Sequence, residues 1–199
     1  MGKKVSWWAL VACLAATLVL GGLGCGDLGK VDQGRVIAFD KTKETVTFIN
    51  DVKHDPANPD YSGAPITFSL PKDPADRGED PKAGMRIKLD AKAREIVIYD
   101  IGTQSMKKIT YTLIDQKEGV GKEDPLVKGK KFPLVEKDKK AITIYSGRQK
   151  LLTTFSLPEE YFALPEDTWE AGDEVRVYYK EPGKALRFMN ITRTDIFKK

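Results

Sequence analysis

Cysteine and histidine are almost absent from this chain: two cysteines, Cys13 and Cys25, and one histidine, His54, occur in 199 residues. A single histidine cannot build a typical zinc or copper site, and Ser-His-Asp catalysis would have to use His54 itself. His54 sits in a polar stretch, Asp51 to Asp60, whose Asp55, Asn58 and Asp60 lack the one-three-five spacing and central glycine of a calcium loop. A solvated surface loop is expected there. No Gly-rich phosphate loop follows any strand-like run, and no spacing sets two of the 29 acidic residues across a cleft as glycoside hydrolysis requires. A strong excess of one charge is missing too, since 33 Lys and Arg face 29 Asp and Glu, which leaves no basic footprint for nucleic acid. The expectation is a protein that is not an enzyme and carries no metal or cofactor.

A long apolar run occurs once, at the start. Lys3 and Lys4 precede Val5 to Leu20, and Gly21-Gly22-Leu23-Gly24-Cys25 follows. A positive segment, a short apolar core and small residues before a break are the parts of an export leader, and the run is short for a span of roughly 20 apolar residues. The alternative is an uncleaved anchor from Val5 to about Leu23. The segment before Cys25 resembles the lipobox of bacterial lipoproteins: Gly24 fits, while Gly22 stands where that family prefers leucine. The resemblance implies removal of residues 1–24, diacylglycerol on the Cys25 thiol, and the membrane as a partner through that lipid. Gly26, where many retained lipoproteins carry Asp, implies the outer membrane rather than the inner. Lys3 and Lys4 leave with the leader, so the net charge falls from +4 to +2. With Cys25 acylated no thiol remains, so stability rests on apolar burial and sheet hydrogen bonds rather than disulfides.

The remainder repeats itself. Pro65-Ile-Thr-Phe-Ser-Leu-Pro71 is answered by Leu152-Thr-Thr-Phe-Ser-Leu-Pro158, and Gly84, Ile87 and Leu89 by Gly172, Val175 and Val177. Arg35 to Phe48 aligns with Lys131 to Ile144, and the extra length of the first copy falls in Asn50 to Gly63. Each copy reads as five short strands, about 35–40, 45–50, 65–70, 85–90 and 95–101 in the first, with alternation such as Val46 and Phe48 against Thr45 and Thr47. One apolar face and two edges per sheet must be covered, and closure does both. The expected fold is all-β: two tandem five-stranded OB-like small barrels, with SH3-like barrels or one fused β-sandwich as alternatives. The corresponding bounds are leader 1–24, tether 25–33, first barrel 34–102, connector 103–128 and second barrel 129–199.

Between its third and fourth strands the second copy carries Tyr161, Phe162, Leu164 and Trp169, an apolar plug; the first copy has charged residues, Pro74 and Pro81 but no large apolar residue from Lys72 to Ala83. The first barrel is then an open ligand mouth, or the connector covers it through Ile109, Tyr111 and Leu113, as a plug or an extra strand. The last strand of each copy is apolar on two sides. Ile96, Ile98, Leu186 and Phe188 are expected in the cores, while Val97, Tyr99, Ile101, Met189 and Ile191 form a second face for packing between the barrels or for a partner. Lys137, Lys139 and Lys140 make a basic hairpin tip. The whole pattern resembles uncharacterised envelope lipoproteins of sulfate-reducing bacteria, which implies an envelope location facing the periplasm and no particular activity. Two functions stay open: a scaffold for another envelope protein, or a small-ligand carrier or sensor at the mouth of the first barrel.

Overall fold

The computed structural model describes residues 28–55 and 59–194; the leader, Cys25 and Asn58 lie outside them. Twelve strands are formed among the described residues: β1 Lys30–Asp40, β2 Thr45–Asn50, β3 Pro65–Ser69, β4 Arg86–Asp90, β5 Glu95–Asp100, β6 Ser105–Thr110, β7 Thr112–Glu118, β8 Leu134–Glu136, β9 Ala141–Ser146, β10 Leu151–Ser156, β11 Glu174–Tyr179 and β12 Ala185–Asn190. The described chain is all-β, with a few 3-10 turns and no α-helix. β1–β5 fall on the five predicted strands of the first copy, and β8–β12 on those of the second.

The strands assemble into three antiparallel sheets, β12-β11-β1-β2-β3, β7-β10-β9-β8 and β4-β5-β6, and none closes into a barrel. Closure is approached in the first, where the Ser69 amide donates to the Gly183 carbonyl at 2.8 Å and brings β3 to the β11–β12 hairpin. The sheets do not divide as the repeats 34–102 and 129–199 do. β1–β3 of the first copy take the final hairpin β11–β12 of the second into one sheet around Val36, Val46, Phe48, Phe68, Val175, Val177 and Phe188. β4–β6 pack instead on β7–β10, joining Leu89, Ile96, Ile98, Ile109 and Tyr111 to Ile142, Ile144, Phe155 and Leu157. The two copies have exchanged their last hairpins, an intramolecular form of domain swapping.

The exchange crosses at the aligned pair Gly84 and Gly172. A Cβ on Gly172 would stand 1.8 Å from the Val36 carbonyl oxygen, and one on Gly84 2.5 Å from that of Glu170, so only glycine fits at either. Four backbone hydrogen bonds tie the crossing: Val36 to Asp173, Gly84 to Val36, Arg86 to Glu170 and Asp173 to Lys82.

The plug forms as predicted, as 3-10 turns Glu159–Ala163 and Glu166–Trp169 that bury Phe162 and Trp169. Each such ring contributes roughly 1.5–3 kcal/mol relative to exposure. The connector is strand, not plug: Ile109 and Tyr111 belong to the cluster under β9 and β10, with Leu113 against it. The first unit is filled from within, Phe68 packing 5.8 Å from Phe48 and 4.9 Å from Tyr179 between ring centres.

A third cluster, Ile37, Ile49, Tyr61, Ile87 and Tyr99 with Met85 and Val97, seals the outer face of β1–β2 against that of β4–β5. Bulges make this possible, because register shifts in β1 around Ile37 and in β4 around Ile87 turn both isoleucines out of their own cores. Tight hairpins share one device. Asp40, Asp90 and Asp100 accept the amide three residues on at 2.9, 3.0 and 3.3 Å, and Glu44, Arg94 and Gln104 then take positive φ.

Candidate anion site at the crossing of the repeats

Three sheets meet beside the crossing around a half-open cavity of about 190 Å³, below the 300–1,000 Å³ usual for drug-sized ligands. Arg35 of β1, Arg86 to Leu89 of β4, Ser146, Arg148 and Gln149 of the β9–β10 hairpin, and Pro59 and Tyr61 of the first copy's extra loop line it. Three of the lining side chains are guanidinium groups.

Arg86 starts β4 next to the glycine crossing, which fixes its backbone against Glu170 and leaves its side chain 9% exposed. Its Nε donates to the Trp169 carbonyl at 2.9 Å, so the plug's last residue also orients it. No carboxylate among the described residues is within ion-pair distance of Arg86. Burial, and after it the nearby Arg35 charge, lower its pKa well below the ordinary arginine value, to about 9, which still leaves a cation at neutral pH. An unpaired buried cation is costly, and a second cation beside it adds to the cost.

Arg35 donates from Nη2 to the Tyr61 hydroxyl at 3.2 Å, and its guanidinium carbon lies 4.9 Å from that ring's centre. Its Nε is buried without a partner. Arg148 pairs with Glu174, the one acid among the described residues that is ion-paired to a guanidinium of the site. Burial acts against the Arg148 charge, but Glu174 and the Tyr61 hydroxyl outweigh it and hold the pKa above the ordinary value. Glu174 is 4% exposed and its second oxygen accepts from Gln33 Nε2 at 3.0 Å, so no free carboxylate remains there to act as a base. Gln33 in turn accepts from Arg176 at 3.1 and 2.8 Å. Lys88 is paired with Asp90 at 3.3 Å. Of the three guanidiniums around the cavity only that of Arg148 is paired with a carboxylate among the described residues. Arg86 and Glu174 occupy equivalent positions of the two repeats, so the site arises where the copies differ in charge.

Such a site can hold a small anion by forked hydrogen bonds. Its only side-chain hydroxyls are those of Ser146 and Tyr61, and no histidine lines it beside them. Among the described residues no three His, Cys, Asp or Glu side chains are grouped to hold a metal ion.

The residues expected on a partner face are not brought together. Val97 and Tyr99 lie in the seam between the sheets, Tyr99 only 8% exposed. Ile101 is exposed in the turn after β5, Met189 is 41% exposed on the outer face of β12, and the Ile191 amide donates to the Glu174 carbonyl at 2.8 Å. Leu186, expected in the core, is 45% exposed: a bulge sets Tyr179 opposite Ala185 and puts Ala185 against the core in its place. The extra loop is also more than surface. Asp51 is fully buried, its Oδ1 accepting the Lys53 and Asp60 amides at 3.1 and 2.7 Å, and Tyr61 is turned into the seam. His54 takes positive φ in this loop and does not line the cavity.

Arg35, Arg86, Arg148 and Tyr61 were not foreseen from the sequence. The one signal there was a single large aromatic in an otherwise polar insertion. Comparison with curated proteins and with solved structures gave no match. A family model, Domain of unknown function (DUF4881), matches residues 27–199, and the chain belongs to that family.

Proposed function

We propose that the protein is a non-catalytic binding module, held in the cell envelope by lipid on Cys25, whose ligand is a small anion bearing carboxylate or phosphate oxygens at the arginine cavity. The observation that carries this is Arg86, nine-tenths buried and without an acidic partner beside a cavity that two further arginines line. A protein keeps such a cation only against a strong penalty, and a bound anion removes it. The cavity volume favours a ligand of a few heavy atoms over a cofactor. Glu174, already held by Arg148 and Gln33, selects against ligands that need a second acid. The mouth of the first barrel is not used, since Phe48, Phe68 and Tyr179 fill that interior.

Isothermal titration of the purified mature protein with inorganic phosphate, sulfate, succinate and citrate tests the reading. The expected result is one site for at least one of these anions, lost in Arg86→Met and weakened in Arg148→Ala. Absence of heat and of any thermal shift with all four anions would remove the proposal.

A further inference from the structure

β5 and β12 are equivalent strands with two apolar faces, yet only the second face of β5 is covered. The outer face of β12 and its neighbours is open. Register places Val31 opposite Tyr178, Tyr178 opposite Arg187 and Arg176 opposite Met189, so these five side chains share the sheet face away from the core. Together with the turn at Ala75 to Gly78 they line an open groove in which Val31 and Met189 are 43% and 41% exposed.

The first described residues lie beside this groove. A Cβ on Gly29 would be 2.6 Å from the Tyr178 ring, so the tether leaves the body against that ring, with Leu28 91% exposed beside it. Cys25 lies four positions before Gly29, a reach of at most about 14 Å. A folded body of this length is roughly 40 Å across. A lipid on Cys25 therefore cannot let the body turn freely, and the groove is at the pole held to the bilayer. Its charge suits an anionic surface. Among the described residues Arg176 is hydrogen-bonded to the neutral Gln33 and to no acid, Arg187 has an exposed pair with Asp76, and Arg77 is matched by Glu44 and Asp80.

We infer that the Val31–Tyr178–Met189 face seats on the bilayer, with its apolar side chains entering the headgroup region and Arg176 and Arg187 meeting lipid phosphates. The inference rests on acylation of Cys25 and is independent of the arginine cavity. Peripheral seating of this kind combines modest apolar burial with attraction to anionic lipid, and one lipid anchor supplies the remaining affinity.

The test uses the full lipidated chain carrying Met189→Cys, with Leu134→Cys in the other unit as control. Cys13 leaves with the leader and an acylated Cys25 has no thiol, so an environment-sensitive fluorophore marks one position. In vesicles of phosphatidylethanolamine and phosphatidylglycerol the label at 189 is expected to shift its emission to the blue and to be quenched by nitroxide lipids, while that at 134 stays in water. Mass spectrometry of the same sample separates the two ways to fail. Lipid present at Cys25 with both labels equally wet overturns the seating alone, whereas no lipid at Cys25 overturns the anchor and the seating with it. A chain beginning at Gly26 keeps every described strand. If its label at 189 is already shielded without vesicles, the groove is filled by protein and the inference fails.

Discussion

Replacing Arg86 by Met separates a structural arginine from one kept for a ligand. The fall of its pKa from the ordinary arginine value to about 9 corresponds to a penalty on the order of 5 kcal/mol held against the folded cation, at about 1.36 kcal/mol per unit. That penalty is complete at every pH below the folded value, so it is fully present at neutrality. Methionine removes it and fills much of the same space. Losing the Nε bond to the Trp169 carbonyl, and leaving that oxygen unpaired, returns roughly 2–3 kcal/mol. The variant without anion is therefore expected to be more stable by about 2–3 kcal/mol, a rise in Tm of roughly 4–12 °C for a domain of this size. Wild type alone should gain further on adding anion, about 2.7 kcal/mol at a hundred times Kd. Urea denaturation with and without phosphate reads both effects. A variant that loses more than about 2 kcal/mol without anion, while wild type shows no response to it, would mean that the protein itself satisfies the Arg86 charge, and the reasoning would be wrong.

Gly172→Ala sets a methyl 1.8 Å from a backbone carbonyl and should cost more than about 3 kcal/mol, whereas Gly147→Ala, whose new methyl meets nothing closer than 3.7 Å, should be near neutral in the same denaturation assay. Tyr111→Phe removes a buried hydroxyl that has no partner while keeping the ring 4.6 Å from Phe155, so thermal unfolding should show a gain of up to about 1 kcal/mol. Asp90→Ala gives up the bond from the Ala93 amide, at a cost of about 0.5–1.5 kcal/mol near neutral pH. That amide, opposed by burial and aided by Lys88, holds the Asp90 pKa below 3.8. The difference between wild type and variant should thus persist down to about pH 4 and vanish as pH falls through the lower folded value.

Alternation with period two located the strands well because each sheet has one face in a core, as Val46 and Phe48 of β2 show. The two-sided pattern of β5 was legible for the same reason: Ile96 and Ile98 enter one cluster, Val97 and Tyr99 another. Alternation carries no information on which copy supplies a neighbouring strand. Hairpins β4–β5 and β11–β12 are similar in sequence, and either could complete either sheet, so the exchange was invisible. Leu186 was misplaced because a single bulged residue reverses the facing of the residues beyond it. The arginine site was missed because Arg35 and Arg86 occupy positions that read as wet. Period two cannot tell a face open to water from one covered by another sheet, and the covering sheet arrives through the crossing at Gly84 and Gly172.

The most direct measurement is a crystal structure of the mature protein grown with an anomalously scattering oxyanion such as molybdate or selenate. The account predicts one anomalous peak within hydrogen-bond reach of the Arg35, Arg86 and Arg148 guanidiniums, absent from crystals of Arg86→Met. An empty cavity in wild-type crystals, with Arg86 turned onto a protein carboxylate, would contradict it.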